Sequence, residues 1–380
     1  MCAKPLTPPD GLARDLAAID GAKIDRDTTF AELTTLRLGG SPIATVRCRT
    51  RQALADAVAL LDAAGVPALV VGGGSNLVVA DGDVGCVAVV AECAEVTVDA
   101  ARGRVIAEAG AVFDDVVAQT VAAGLGGLEC LSGIPGSIGA TPVQNVGAYG
   151  AEIAEVLSGV QLFDRRSGSA SWVEPEALEL SYRYSNLKFT QRAVVLAVEL
   201  RLSADGLSAP LRFGALASAL GATGADQRFP AADVRREVLR LRAGKGMVLD
   251  EADHDTWSAG SFFTNPIVSP ALAQQVCDAV RATLGGAEAD RMPRYPAGEQ
   301  VKLSAAWLIE RAGFPRGFPG QGAPVRLSTK HTLALTNRGG ATTQDLVELA
   351  RRVRDGVRTA FGVELRPEPV WVGVGIDAAG

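Results

Sequence analysis

The stretch LSGIPGSIGATPVQNVGAYG, residues 131–150, decides how the rest of the chain is read. It contains no Asp, Glu, Lys or Arg, yet it carries too much Gly, Pro, Asn and Gln for a core helix. Small residues recur at Gly133, Gly136 and Gly139, with Ser132 and Ser137 among them. Backbone without side chains can approach a ligand closely, and its N–H groups can turn toward an anion. A long surface loop is the plain alternative. Against it, Ile134, Ile138, Val143 and Val146 are interleaved, which predicts an ordered segment. Long loops in compact domains are usually functional or disordered, so an ordered one reads as a ligand cradle.

Upstream, ALVVGGGSNLVVA at 68–80 sets Gly72, Gly73, Gly74, Ser75 and Asn76 between two apolar runs. The pattern is strand–turn–strand, without the GxGxxG or the strand–turn–helix order of a Rossmann fingerprint. A hairpin with a glycine-rich turn is one reading, although a hairpin needs only one or two glycines. The other is phosphate binding, because three glycines followed by Ser-Asn supply several amides and side-chain donors to a pyrophosphate. Residues 1–30 are polar and Pro-rich at first and read as a loosely held lead-in. Apolar spacing predicts helices over 52–64 and 112–123, and strands near 43–48, 86–90, 95–98, 104–108, 156–163 and 194–202.

Downstream, LSYRYSNLK at 180–188 packs Tyr182, Arg183 and Lys188 together, either as a charged strand edge or as an arginine aimed at an anion. A helical pattern from 231 ends in RAGKG at 242–246. WSAGSFFTNP at 257–266 is a compact polar-aromatic loop that could shield the Ser261 hydroxyl. Ser304 is a suitable N-cap for a helix over 305–312, and 343–360 is a second amphipathic helix with Gly362 beyond its end. A last strand spans 365–373, with Glu368 between two prolines; a structural salt bridge is the plain reading of that carboxylate.

At 380 residues the chain has room for two or three domains, and 48% hydrophobic with 21% charged residues is ordinary for a globular protein. A net charge of −6 argues against a nucleic-acid surface. The N-terminus lacks the apolar core of a signal peptide, and the uncharged runs are broken by Gly, Ser, Asn and Pro, so no membrane insertion is expected. Six scattered cysteines without a CxxC pair offer neither a disulfide framework nor a zinc site, and His254 and His331 alone exclude a histidine-rich metal centre. The cytoplasm is the expected location.

Taken in order, TTLRLGG (34–40), GGGSN (72–76), GIPGSIGATPVQNVGAYG (133–150), YRYSNLKF (182–189), AGSFFTNP (259–266), VKLSAAWLIE (301–310) and LRPEPVWVG (365–373) resemble the UDP-N-acetylenolpyruvoylglucosamine reductase family, the MurB family of peptidoglycan synthesis. The two Gly-rich loops likewise resemble the FAD-binding fold of vanillyl-alcohol oxidase and its relatives. The resemblance implies an α+β protein with that FAD-binding fold and an additional α+β substrate-binding domain. It implies a lead-in over 1–30, FAD-binding regions over 31–110 and 111–249, and a substrate-binding domain over 250–362 that closes over the flavin. A C-terminal strand over 363–380 would return to the FAD half.

By the same resemblance NADPH reduces non-covalently bound FAD, and the enolpyruvyl ether of UDP-N-acetylglucosamine enolpyruvate is then reduced to UDP-N-acetylmuramate. Arg183 would polarise the substrate carboxylate, Glu368 would orient Arg183 or stabilise the enol form, and Ser261 would be the proton donor. Gly72, Gly73, Gly74, Ser75, Asn76 and Leu77 would line the FAD, together with Ser132, Gly133, Ile134, Pro135, Gly136, Gly139 and Ala140. Tyr182, Lys245, Asn265, Tyr295 and Lys302 would meet the substrate. Phe213 stands where members with a longer substrate loop carry Tyr, so a substrate hydroxyl contact is either lost or supplied elsewhere. A monomer is expected. The rival readings are another FAD-dependent oxidase or dehydrogenase of the same fold, and a flavin-holding scaffold without activity.

Overall fold

Ala193–Arg201 reads AVVLAVELR, an almost unbroken apolar run, because both faces of its sheet are covered. The computed structural model describes residues 10–211, 214–224 and 227–377, and in it this strand is the middle of a five-stranded antiparallel sheet. The order is Ser169–Val173, Leu157–Asp164, Ala193–Arg201, Arg104–Glu108 and Val96–Asp99. On one face Val105, Ala107, Val160, Leu162, Val195 and Val198 are buried with Phe113, Leu131 and Ile138. On the other, Phe163, Val194 and Leu196 share a core with Leu54, Val58 and Leu61 of the helix Arg51–Ala63. Thr50 caps that helix, its hydroxyl accepting from the Ala53 amide at 3.0 Å. The same core takes Val46, Val87 and Val89 from a four-stranded sheet. That sheet runs Ala22–Asp25, Thr45–Cys48, Val87–Ala91, Ala68–Val71, with only the first pairing antiparallel.

All of this lies in one compact unit, formed by Met1–Leu33, Gly40–Gly74 and Gly82–Val248. Within it the stretch at 131–150 is ordered as short 3-10 turns at Glu129–Leu131, Ile138–Ala140 and Pro142–Gln144, then a pairing of Gly147–Ala148 with Ala151–Glu152. Leu131 and Ile138 are fully buried, so this backbone is anchored by its apolar residues. The flanking helices Phe113–Ala122 and Ala231–Ala243 hold its glycine end. Asp114 accepts the Gly133 amide at 2.6 Å and both Arg235 terminal nitrogens at 2.6 and 2.9 Å. Arg242 donates to the carbonyls of Met247 at 2.7 Å and Gly133 at 3.3 Å.

The second unit comprises Thr34–Gly39, Ser75–Asp81 and Leu249–Gly380. Its long helix Thr343–Phe361 opens on a Thr342–Asp345 capping box and ends at Gly362 in the left-handed region. Leu346, Leu349, Val353, Val357 and Phe361 of that helix are buried with Phe262, Phe263, Leu303, Leu308 and Leu335. An antiparallel sheet ordered Ile267–Val268, Gln300–Leu303, Arg294–Ala297 and a pairing of Val325–Leu327 with Leu335–Asn337 complete it. Leu77–Val79 pairs in parallel with Val370–Val372.

Several local expectations change. The segment at 68–80 is not a hairpin: Ala68–Val71 pairs with Val87–Ala91, whereas Leu77–Val79 pairs with Val370–Val372. Each strand finds its own core, Ala68 with Leu61 and Val78 with Phe263. The segment at 180–188 is a series of turns instead of a strand edge, with Ser181 bridged to Tyr184 and Arg183 at φ +56°. The lead-in is packed where Leu12 and Leu16, one helical turn apart, enter the core beside Leu54. The last strand shrinks to Val370–Val372, since Pro367 and Pro369 have no amide to give a ladder. Phe213 lies outside the described residues.

Burial acts against ionisation of Asp114, but Arg235, the Gly133 amide and the charge of Arg242 together hold its carboxyl below the usual 3.8. Such a group stabilises the fold above that value and ceases to do so as pH falls through its lowered folded-state pKa. Asp114→Asn is expected to cost about 1–2 kcal/mol at pH 7. The gap from the parent in urea melts should close as pH falls below 3.8; a gap that persists unchanged in acid would show that the charge contributes nothing.

Candidate active site

The two glycine loops, far apart in sequence, meet within the first unit. A Cβ placed on Gly73 would sit 2.6 Å from Gly136 Cα, and one on Gly72 would collide with the Ser137 hydroxyl. Only bare backbone allows this approach. The second loop is fixed from below: Ile138 and Gly139 donate to the carbonyls of Ala111 and Ala109, and Phe113 donates to the carbonyl of Gly136. The amides of Gly73, Gly74, Gly136 and Ser137 take no acceptor among the described residues. Amides without acceptors on side-chain-free backbone at one close contact suit a diphosphate, so the residues present fit a dinucleotide. Ser132 is committed elsewhere, its hydroxyl donating to the Glu129 carbonyl at 2.6 Å, and Pro135 and Ile134 continue the same loop. Ala140 is exposed at its end. Ser75, Asn76 and Leu77 fall in the second unit, where the Asn76 carbonyl accepts the Val370 amide at 2.9 Å.

Arg183 is oriented by the far end of the same 131–150 stretch. Its guanidinium donates to the Gly147 carbonyl at 2.5 Å and to that of Asn145 at 3.4 Å, with Glu152 at 3.8 Å. Asn145 in turn donates to Glu152 at 2.7 Å and to the Ser181 carbonyl at 3.0 Å, tying the arginine's turn to the loop. Main-chain carbonyls orient the guanidinium while carrying no formal charge of their own. Arg183 also lies 5.1 Å over the exposed Tyr182 ring. Lys245 is exposed in the turn after Ala231–Ala243.

In the second unit the loop of Ser261 is built by Phe262 and Phe263, both fully buried. The Phe262 amide donates to the Leu333 carbonyl at 2.8 Å and its carbonyl accepts the Glu368 amide at 2.9 Å. Glu368 is thus held across one backbone hydrogen bond from the residue after Ser261, with Phe263 bridged to Pro367. Asn265, Tyr295 and Lys302 belong to the same unit. Lys302 is the cross-strand partner of both Tyr295 and Ile267, and Asn265 Oδ1 accepts the Ala305 amide at 3.0 Å.

Residues passed over in the sequence complete the picture. His331, weighed there only as a metal ligand, has Nε2 3.4 Å from the Ser261 hydroxyl. Asp114 and Arg242, the clamps on Gly133, stand in ordinary helical patterns. No spacing signal marks any of the three, because their partners are remote in sequence.

The sequence profile of the UDP-N-acetylenolpyruvoylglucosamine reductase C-terminal domain matches residues 251–372, and that of an FAD binding domain matches 42–174. The chain is 61% identical to UDP-N-acetylenolpyruvoylglucosamine reductase 2 of Corynebacterium glutamicum, covering 96% of this chain and 99% of that one. It is 62% identical to the reductase of Corynebacterium diphtheriae, over 97% and 95% respectively. Its structure is similar to that of the reductase MurB from Thermus caldophilus, with a TM-score of 0.62 at 25% identity over 92% of this chain and 99% of that one. The α+β architecture is that of an FAD-binding fold. With identity this high over nearly its whole length, the chain belongs to the UDP-N-acetylenolpyruvoylglucosamine reductase family.

Proposed function

We propose that this chain reduces UDP-N-acetylglucosamine enolpyruvate to UDP-N-acetylmuramate in the cytoplasm, as an FAD-dependent step of peptidoglycan precursor synthesis that draws its electrons from NADPH. Bound FAD would supply the hydride for the terminal vinyl carbon of the enolpyruvyl ether. Gly72–Gly74 and Ser132–Ala140 would hold it through backbone amides, with Ser75, Asn76 and Leu77 beside them. Attachment would be non-covalent: burial pushes the Cys130 thiol, beside the second loop, up to about 12, leaving no thiolate near neutral pH. The FAD would be held by residues 31–249, the sugar nucleotide by 250–362, with Glu368 contributed by the C-terminal strand. A monomer is the working form in this reading. No helix among the described residues is long and apolar enough to cross a membrane.

Hydride addition leaves charge on the carbon next to the substrate carboxylate. Arg183 would hold that carboxylate and stabilise the enolate as it forms. Ser261 would give its hydroxyl proton to that carbon, and Glu368 would orient Arg183 or stabilise the enol form. Asn265 and Lys245 would meet the diphosphate, and Tyr182, Tyr295 and Lys302 the remainder of the substrate. The observation that carries the reading is the backbone link between Phe262 and Glu368, which joins two motifs remote in sequence into one loop cluster around Ser261.

The test is anaerobic NADPH oxidation with and without the enolpyruvyl sugar. Consumption that depends on the sugar is expected; flavin that is reduced but never reoxidised by the sugar would instead indicate another oxidase of this fold. Ser261→Ala should leave flavin reduction intact and slow turnover by roughly 10²–10⁴. Arg183→Lys, which lacks the fork, should cost about 10²–10³ in kcat; undiminished turnover in either variant removes that residue from the mechanism. Gly73→Ala should yield a folded protein by circular dichroism that has lost most of its yellow colour. Full flavin retention would mean that the glycine loops do not cradle it.

A further inference from the structure

We propose that His331 is the positioning residue for Ser261, holding the hydroxyl through Nε2 and returning its proton after each turnover. The inference rests on the reading of Ser261 as proton donor. Serine is a poor acid, and once its proton has gone to carbon it is left as a strongly basic alkoxide that must be reprotonated. The side chain seen within hydrogen-bonding reach of that hydroxyl is the imidazole of His331, with Nε2 at 3.4 Å. Both groups are partly buried, which limits how freely bulk water can do the same work.

The imidazole is fixed from its backbone. The His331 amide donates to the Ser328 hydroxyl at 3.2 Å, and its carbonyl accepts the Ala334 amide at 3.1 Å. The Ser328 amide donates to the Ala334 carbonyl at 2.8 Å, closing the turn between Val325–Leu327 and Leu335–Asn337. The Leu333 carbonyl, two residues on, accepts from Phe262, the neighbour of Ser261. The turn carrying the imidazole and the loop carrying the hydroxyl are therefore stitched together, and the pair is built into the backbone.

The step balances as two proton transfers. The Ser261 Oγ–H bond breaks as the carbon–hydrogen bond of the product forms. The Nε2–H bond of imidazolium then breaks as Oγ–H is restored, and neutral imidazole regains a proton from solvent. This is the reverse polarity of a hydrolase triad, where histidine takes the serine proton. The charged groups around His331 are spoken for by name: Lys330 pairs with Asp253 at 2.5 Å, Asp255 with Thr329 and with Arg338 at 3.0 Å, and Glu310 accepts from Thr332. From the facing loop, Glu368 is the carboxylate one backbone hydrogen bond away. Ordinary imidazole titrates near pH 6.5, so the imidazolium form that supplies the proton fades as pH rises.

The experiment follows steady-state turnover of the holoenzyme with NADPH and the enolpyruvyl sugar from pH 5.5 to 9, where Ser261 must be reprotonated in every cycle, and measures flavin reduction by NADPH separately. His331→Gln and His331→Ala are compared with Ser261→Ala and the parent. The parent rate should fall with rising pH. His331→Gln, which can still hold the hydroxyl but cannot titrate, should react about 10- to 100-fold more slowly with that fall abolished. NADPH reduction of the flavin should change less than about twofold in the same range. Ser261→Ala collapsing while His331→Gln keeps the parent's rate and pH profile overturns the proposal alone. Ser261→Ala keeping the parent rate overturns the underlying reading as well. Should the His331 variants fold poorly, imidazole resonances decide the matter, because the sequence has only two histidines. With His254→Gln used for assignment, the His331 titration should move between the parent and Ser261→Ala, and an unmoved titration overturns the proposal.

Discussion

The constraint on which the first unit depends is the approach of Gly73 to Gly136, backbone against backbone. Two chain segments can come this close only if neither carries a side chain at the contact. The sheets supply the rest of the geometry: Ala68–Val71 delivers the first loop at its end, and the carbonyls of Ala109 and Ala111 hold the second. Asp114, Arg235 and Arg242 then clamp the Gly133 end from two helices. The polar groups around the two loops are consumed in shaping them, while the amides at the contact point take no acceptor among the described residues.

Arg183 illustrates how the same stretch serves a second purpose. Its residues 145 and 147 offer main-chain carbonyls to the guanidinium, so the loop that opens as a cradle ends as an arginine holder. Glu152 stands farther off at 3.8 Å and is itself engaged by Asn145. The left-handed backbone at Arg183, with φ of +56°, is part of this positioning.

In the second unit a different logic applies. Phe262 and Phe263 bury their rings, and Phe262, next to Ser261, carries two backbone attachments, its amide to Leu333 in the turn of His331 and its carbonyl to the Glu368 amide. A loop of small and polar residues would fray without those anchors. The aromatic pair converts hydrophobic burial into placement of one hydroxyl, at a ring separation of 5.2 Å in an edge-on arrangement.

The sequence by itself determined the α+β class, most of the strands and helices and the two glycine loops. Each of these rests on local spacing or on short motifs. Ser304 as a cap, Thr343–Phe361 as an amphipathic helix and Gly362 beyond its end follow directly from such patterns. What the tertiary structure decided concerns partners. Strands Ala68–Val71 and Leu77–Val79 look like a hairpin because hairpins are the local solution, yet each pairs with a remote strand in its own unit. The segment around Arg183 alternates like an edge strand but closes into turns once Asn145 and Gly147 bind it. His331 carried no pattern at all. Its significance comes from the hydrogen bond that ties Leu333 to Phe262, and contacts between distant residues are set by packing rather than by any periodicity in the chain.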